Sequence, residues 1–206
     1  MPGEKDRIEE FWAWFATHNL EFSKLGTANE PFWDLALERL KKVDENFWFE
    51  LSRDRHPSRE FIVTTEGHVE SFHTAEELVR LAPEIKGWAF IALKPAQGFR
   101  FTTNYEGTEF DPRQMWFLPL ENESRPGDLG IQIALPGLDR MDKALAHNAV
   151  LVILDTGLGE RSAALDVQYT EVTHLPTDPE SEGYMELPEL ADYIAWRKNR
   201  LASSSV

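Results

Sequence analysis

The stretch VLVILDTGLGE, residues 150–160, decides how the second half of the chain is interpreted. From Asp139 to Thr156 apolar residues recur at helical spacing, which predicts a helix that ends near Gly157 or Gly159. The β-branched residues of the run lower its helix propensity, so a buried strand over 139–156 is the alternative. We predict the helix and leave the strand open.

The triplet Asp155-Thr156-Gly157 behind an apolar run is also the pattern of the catalytic loop in aspartic proteases. Such loops work in facing pairs, because two aspartates must share one proton. This chain has one copy, has Leu158 where a small hydroxyl residue is usual, and has no hydrophobic pair followed by Gly downstream. The triplet therefore does not predict a protease.

Outward from this stretch, hydrophobic periodicity predicts a series of helices and short strands. The predicted helices are 5–24, with an apolar stripe of Ile8, Phe11, Trp12, Phe15 and Phe22, then Asn29–Val43, a short helix that a capping box at Thr74–Glu77 opens and Pro83 ends, and 187–201. The predicted strands are 47–51, 60–65, 87–95, 115–120, 128–135 and 165–175.

These elements predict an α+β fold. We expect a mostly antiparallel sheet of about five or six strands with helices packed on one face, a ferredoxin-like arrangement. The connections are short except near 96–114 and 176–186. We therefore predict a single domain over residues 1–200 and a disordered tail at 201–206.

The charge balance bears on possible partners. The chain has 36 acidic and 21 basic residues and a formal net charge of −15 at pH 7. Such a field repels phosphate backbones, so we expect no nucleic-acid ligand. A basic protein is a possible partner, while solubility is the simpler explanation of the charge.

The sequence lacks targeting and membrane segments, which bears on the expected compartment, and it lacks cysteine, which bears on redox and thiolate chemistry. The N-terminal MPGEKDRIEE lacks the apolar core of a secretory signal, and no apolar run approaches the ~18 residues of a membrane span, so we expect a cytoplasmic protein without a membrane partner. The chain has no cysteine, which excludes disulfides, thiolate nucleophiles and cysteine-based metal sites.

The remaining catalytic patterns are missing as well. The six histidines form no HxxxH or HExxH pair, and His68 and His73 are five residues apart at a predicted strand end. No Gly-x-Ser-x-Gly turn and no phosphate-binding loop are present. We expect no catalytic residue, no metal and no cofactor, and leave the oligomeric state open.

Three residues are candidates for binding. Trp14 lies about a hundred degrees away from the stripe of Phe11, Trp12 and Phe15, which places it at the edge of the buried face of its helix. Asp155 and Glu160 are candidates by their position around the glycine turn. An aromatic ring at such an edge is a feature of protein interfaces.

Six segments resemble a family of uncharacterised bacterial proteins of unknown function: FWAWFATHN, FWDLALERL, REFIVTTEG, LVRLAPEIKGWAFIALKP, LDTGLGE and ELPELADYIAWRK. No activity comes with the resemblance. Similar small acidic bacterial proteins act by binding another protein, as inhibitors of basic enzymes or as immunity proteins. The resemblance thus implies a non-catalytic protein-binding or regulatory role in the bacterial cytosol. The alternative is a hydrolase whose carboxylate or histidine site cannot be identified from sequence.

Overall fold

The structure, a computed structural model, describes residues 3–24, 30–52 and 58–204. Its contacts divide the chain into two compact units, unit 1 (Met1–Lys94) and unit 2 (Pro95–Val206). The described residues form six α-helices and nine strands, which confirms the predicted α+β class. The single domain over residues 1–200 stays a prediction.

Unit 1 combines three helices with a three-stranded sheet. Its elements are α1 (Glu4–Lys24), α2 (Glu30–Lys41), β1 (Trp48–Leu51), β2 (Arg59–Thr64), α3 (Phe72–Arg80) and β3 (Trp88–Ala92). In the order β1-β2-β3, the first pair is antiparallel and the second is parallel. The parallel pair needs a crossover between β2 and β3, and α3 supplies it.

The core of unit 1 is aromatic. All members of the predicted stripe on α1 are buried: Ile8, Phe11, Trp12, Phe15 and Phe22. The ring of Phe15 lies within 4.7–6.2 Å, between centroids, of six other rings. Aromatic pairs at such distances stabilise a core beyond the area that they bury.

Unit 2 contains a hairpin, a four-stranded sheet and three helices. Its elements are β4 (Thr103–Tyr105), β5 (Thr108–Phe110), β6 (Trp116–Glu121), β7 (Leu129–Leu135), α4 (Lys143–Leu158), α5 (Glu160–Asp166), β8 (Tyr169–His174), β9 (Met185–Glu186) and α6 (Leu190–Ser204). The sheet order is β8-β7-β6-β9, and only the β7–β8 pair is parallel. The helices α4 and α5 form the crossover to β8.

The core of unit 2 lies on one face of its sheet and is mostly aliphatic. Alternate residues of β7 point into it and are at most 1% exposed: Leu129, Ile131, Ile133 and Leu135. Buried residues of α4 and α6 belong to the same cluster. This alternation was visible in the sequence and confirms the predicted half-buried strand. The opposite face of the sheet carries Gln132 and its strand neighbours.

The predicted sheet differs from the structure. Neither a single sheet of five or six strands nor a ferredoxin-like arrangement is seen in the described part of the chain, where the strands form sheets of three, two and four. Each of these three sheets belongs to one unit, and the helical crossovers add the parallel pairs β2–β3 and β7–β8. The short strands β4, β5 and β9 and the helix α5 were not predicted, and α5 takes up the first residues of the predicted strand 165–175.

The stretch 150–160 forms the end of a helix and a turn, so the helix prediction is confirmed. Asp142 caps the start of α4, because its side chain accepts the backbone N–H groups of Ala144 and Leu145 at 2.9 and 3.0 Å. Gly159 ends α4 with φ 78° and ψ 152°, a conformation that few residues other than glycine adopt.

Of the two glycines predicted as alternatives for the helix end, Gly159 takes that position, and Gly157 lies inside the last turn of α4. A Cβ atom at this position would lie 2.2 Å from the ring of Phe99. Next to this contact, the backbone N–H groups of Gln97 and Gly98 donate to the carbonyl oxygens of Thr156 and Gly157 at 3.0 and 3.1 Å. Gly157 therefore lets residues 97–99 pack closely against the last turn of α4 and satisfy its carbonyls.

Some predicted boundaries also shift. The capping box at Thr74 is not formed, since α3 already begins at Phe72 with Ser71 at the N-cap position and no side-chain capping bond. The helix α6 continues to Ser204, into the segment that was predicted to be a disordered tail. The predicted N-cap Asn29 lies outside the described residues. Over the described ranges, no helix combines the length and apolar composition needed to cross a membrane.

Candidate partner-binding surface

After β8 the chain crosses the face of the unit 2 sheet that is opposite the aliphatic core. It leaves one edge at Leu175, whose N–H donates to the carbonyl of Leu135, and it reaches the other edge where β9 pairs with β6. On the way, Tyr184 donates its hydroxyl to the side-chain oxygen of Gln132, and a Cβ atom on Gly183 would lie 3.6 Å from Leu118. We call residues 176–186 the acidic crossover; this segment is distinct from the helical crossovers that join the parallel strands.

The acidic crossover presents only negative charge. Its four carboxylates are all exposed: Asp178, Glu180, Glu182 and Glu186. The chain has no Lys or Arg from Ser162 to Trp196, a stretch that contains eight acidic residues. Among the described residues none of the four carboxylates has an ion pair. The negative potential of this surface is therefore not neutralised locally.

Beside the crossover, four side chains form a hydrogen-bonded network around Glu171. The hydroxyl of Tyr169 donates to one carboxylate oxygen of Glu171 at 2.9 Å, and the amide of Gln132 donates to the other. Gln132 in turn accepts the hydroxyl of Tyr184. The pairing of Gln132 with Glu171 across β7 and β8 sets this geometry. A half-buried carboxylate is thus held by neutral donors.

Negative charge raises the pKa of both tyrosines in the network. The hydrogen bond to the Glu171 carboxylate raises the pKa of Tyr169 above its ordinary value, and the charge of Glu171 adds to the effect. Burial raises the pKa of Tyr184, and the charges of Glu182 and Glu171 raise it further. Glu182 of the crossover and Glu171 of β8 therefore act on the same point of the sheet, and they belong to one acidic surface.

Trp14 lies at the edge of the unit 1 core, as the helical spacing predicted. It is half-buried, and its ring stacks on His18 and Phe32 at centroid distances of 5.0 and 5.8 Å. The ring also meets Phe22 edge to face at 6.0 Å. These contacts give Trp14 a packing role, and its role in binding stays a prediction.

Asp155 and Glu160 lie in unit 2 on either side of the turn at Gly159. Asp155 is half-buried in the last turn of α4, so it does not lie on a catalytic loop. Glu160 is 0% exposed at the start of α5, because the turn at Gly159 directs this position inward. A fully buried carboxylate is not accessible to a protein partner, whereas Asp155 keeps some accessible surface. Their proposed binding role stays a prediction.

Two grooves bear on the alternative of an enzyme. A groove of about 370 Å³ in unit 1 has Glu9 as its single charged lining residue, and the indole N–H of Trp12 in its wall already donates to the carbonyl of Leu78 at 2.8 Å. A groove of about 310 Å³ in unit 2 includes Arg197, whose guanidinium is bound to backbone carbonyls of the 126–128 loop. The second groove is also lined by Glu121, Glu123 and Arg200, and Arg200 pairs with Glu121 at 3.4 Å, so both of its arginines are already engaged.

Histidine and metal chemistry find little support in the described ranges. The imidazole of His174 lies 3.2 Å from the carboxylate of Asp139, and both side chains are more than half exposed. In the part of the chain that the structure describes, no group of three or more His, Asp or Glu side chains could hold a metal ion.

Trp14, Asp155 and Glu160 were predicted from the sequence, whereas Tyr169 and Glu171 were not. One signal for them was present, namely the long stretch without Lys or Arg in which they lie. The register that joins Glu171 to Gln132 could not be seen in one sequence. Comparison of the chain with models of protein families, with curated proteins and with solved structures finds no significant match.

Proposed function

We propose that this protein binds a basic protein partner through the acidic crossover and the adjoining strand β8. The role is non-catalytic and inhibitor-like or regulatory, in the cytoplasm of a bacterium, without nucleic acid as a ligand. The observation that carries the proposal is the set of exposed crossover carboxylates that have no cation beside them. Such a surface attracts a positively charged partner at long range and opposes acidic ones.

The acidic crossover has four acidic residues and no Lys or Arg, whereas the rest of the chain has 32 acidic and 21 basic residues and is net acidic as well. Several carboxylates outside the acidic crossover pair with a Lys or Arg within 4 Å: Glu38 with Lys42, Glu77 with Arg80, Asp111 with Arg113, Asp128 with Arg125, and Asp166 with Lys198. The acidic crossover therefore differs from these positions in having no basic side chain paired with it, and not in the sign of the surrounding charge. The unbalanced charge on one sheet face supports a surface that is complemented by a partner.

The proposal is tested with a variant of the acidic crossover and a control of the same net charge. The test variant carries Asp178→Asn, Glu180→Gln, Glu182→Gln and Glu186→Gln. The control variant carries Glu10→Gln, Asp34→Asn, Glu45→Gln and Glu84→Gln, all exposed positions in unit 1. Each protein is immobilised, a bacterial lysate is applied at low salt, and bound proteins are eluted with a salt gradient.

We expect the unmodified protein and the control to retain the same basic protein, which elutes as salt screens the attraction. The crossover variant should lose that protein. Equal loss in both variants would mean that net charge alone governs retention, and this result would overturn the proposal. Retention by the crossover variant would overturn it as well.

A further inference from the structure

We propose that the basic partner adds an extended segment to the edge of β8 and places an arginine side chain against Glu171 and Tyr169. This inference rests on the proposed function, since it names the chemistry and the conformation of the partner segment. It makes β8 the point of recognition and leaves long-range attraction to the acidic crossover.

The first support is the edge of the sheet. Within the described residues β8 pairs with β7 alone, so its other side has backbone groups that no strand uses. The opposite edge is β9, which has only two residues. Edge strands are usually protected by charged side chains, lysine above all, by proline, by a bulge or by a short length, and β8 has Glu171 as its one acidic residue. β8 has six residues with the sequence YTEVTH and contains neither lysine nor proline.

The second support is the side chains that share one face of β8. Because side chains alternate along a strand, Tyr169, Glu171 and Thr173 lie on the same face. Tyr169 is 55% exposed, which leaves its ring accessible. The carboxylate of Glu171 accepts from Tyr169 and Gln132 only, and no described cation is near it. Each carboxylate oxygen can accept one more hydrogen bond.

These groups favour a guanidinium over other side chains. Arginine can donate two parallel hydrogen bonds to a carboxylate while its plane stacks on an aromatic ring, and lysine offers a single point charge. A second copy of this chain does not fit, because it would bring Glu171 and the acidic crossover close to identical charges. The occupant is therefore an extended, arginine-containing segment of a different protein.

The test uses the full chain and a capped seven-residue peptide in which arginine alternates with valine. Two further peptides carry N-methyl groups on alternate backbone amides, one on the arginines and one on the valines. A strand that adds to an edge turns only every second N–H toward it. We expect one methylation pattern to abolish binding, measured by titration calorimetry at low salt, while the other leaves it within about twofold.

Two substitutions test the side-chain contact. Glu171→Gln should weaken binding of the parent peptide by about tenfold, because it removes the charge beneath the guanidinium. The matched control, Glu109→Gln on the exposed side of β5, makes the same charge change and should leave binding within about twofold. Replacing arginine by citrulline in the peptide should give the same loss as Glu171→Gln, and lysine should bind more weakly than arginine.

The outcomes separate this inference from the proposed function. Equal binding of the two methylated peptides, or no binding of the parent peptide, overturns strand addition at β8. The proposed function would still stand if the crossover variant alone lost the captured basic protein. Equal effects of Glu171→Gln and Glu109→Gln would overturn the arginine contact even where one methylation pattern blocks binding.

Discussion

Units 1 and 2 contain the same order of strands built from different side chains. In unit 1, β1 and β2 pair antiparallel, α3 crosses over, and β3 adds parallel to β2. In unit 2, β6 and β7 pair antiparallel, α4 and α5 cross over, and β8 adds parallel to β7. The sequence shows no internal repeat. Two segments without a visible sequence repeat therefore share one strand topology, as the general rules of strand connection allow.

The difference lies in the cores. Unit 1 packs aromatic rings from α1, β1, β2 and β3 against one another. Unit 2 packs the aliphatic side chains of β7 and α4, and its close contacts depend on small residues such as Gly157. The same strand topology can therefore be built over an aromatic core or an aliphatic core. The two cores should nevertheless differ in how strongly substitutions destabilise them.

Each unit also has a buried arginine whose guanidinium donates hydrogen bonds to backbone carbonyl groups. Arg59 in unit 1 is 9% exposed and donates to the carbonyl oxygen of Phe22 near the end of α1. Arg197 in unit 2 is 7% exposed and donates to the carbonyl oxygens of residues 126–128 at 2.6–3.0 Å. In both units a buried cation satisfies carbonyl groups that lack a partner in a helix or sheet.

The largest effect is expected where one ring contacts many others. Phe15→Ala should lower the free energy of unfolding by about 3–5 kcal/mol, because it removes a fully buried ring and leaves a cavity in the aromatic core. Urea unfolding followed by tryptophan fluorescence measures the loss. In unit 2, Ile133→Leu keeps the buried volume and should cost less than about 1.5 kcal/mol. A loss at Phe15→Ala no larger than that at Ile133→Leu would contradict the central packing role of Phe15 in its core.

A smaller loss is expected at the close contact of unit 2. Gly157→Ala should cost about 1–3 kcal/mol, since the new methyl group overlaps the ring of Phe99 and forces the 97–99 segment to move. Gly127→Ala is the control, because no atom lies within 4 Å of a Cβ atom there, and it should change stability by less than about 0.5 kcal/mol. Thermal unfolding of both variants measures these two changes in stability. A neutral Gly157→Ala would refute the packing role of this glycine.

The smallest effect concerns the acidic surface of unit 2. Glu171→Gln should lower the pKa of Tyr169 toward its ordinary value, because the carboxylate favours the protonated phenol. A raised folded pKa stabilises the fold below about pH 10, and this contribution is lost as the pH rises through the folded value. Alkaline titration of tyrosine by NMR measures the shift. An unchanged pKa would argue against the hydrogen bond between the two side chains.

The sequence predicted the elements whose periodicity is long. The stripe from Ile8 to Phe22 and the alternation from Leu129 to Leu135 both correspond to the observed buried faces. Periodicity specifies the face that an element buries but not its neighbour, so the division into separate sheets could not be predicted. Strands of two or three residues, such as β9, are too short to show any period.

The candidate site was harder to predict than the fold. Glu160 was chosen by position, and the structure buries its carboxylate completely after the turn at Gly159, which sequence position alone did not indicate. Glu171 gains its importance from Gln132, which is 39 residues away in the chain and adjacent in the sheet. Such a pairing depends on strand register, which a single sequence does not display.

The acidic crossover has a consequence for the order of folding. Its contact between Tyr184 and Gln132 joins residues 52 apart, so a long loop must close before the contact can form. We expect the acidic crossover to fold after the sheet that it covers and to open before that sheet unfolds. Amide exchange at Tyr184, whose N–H donates to the carbonyl of Pro179 at 2.9 Å, would report this opening. An incompletely folded chain would therefore carry the same charges without arranging them into a surface.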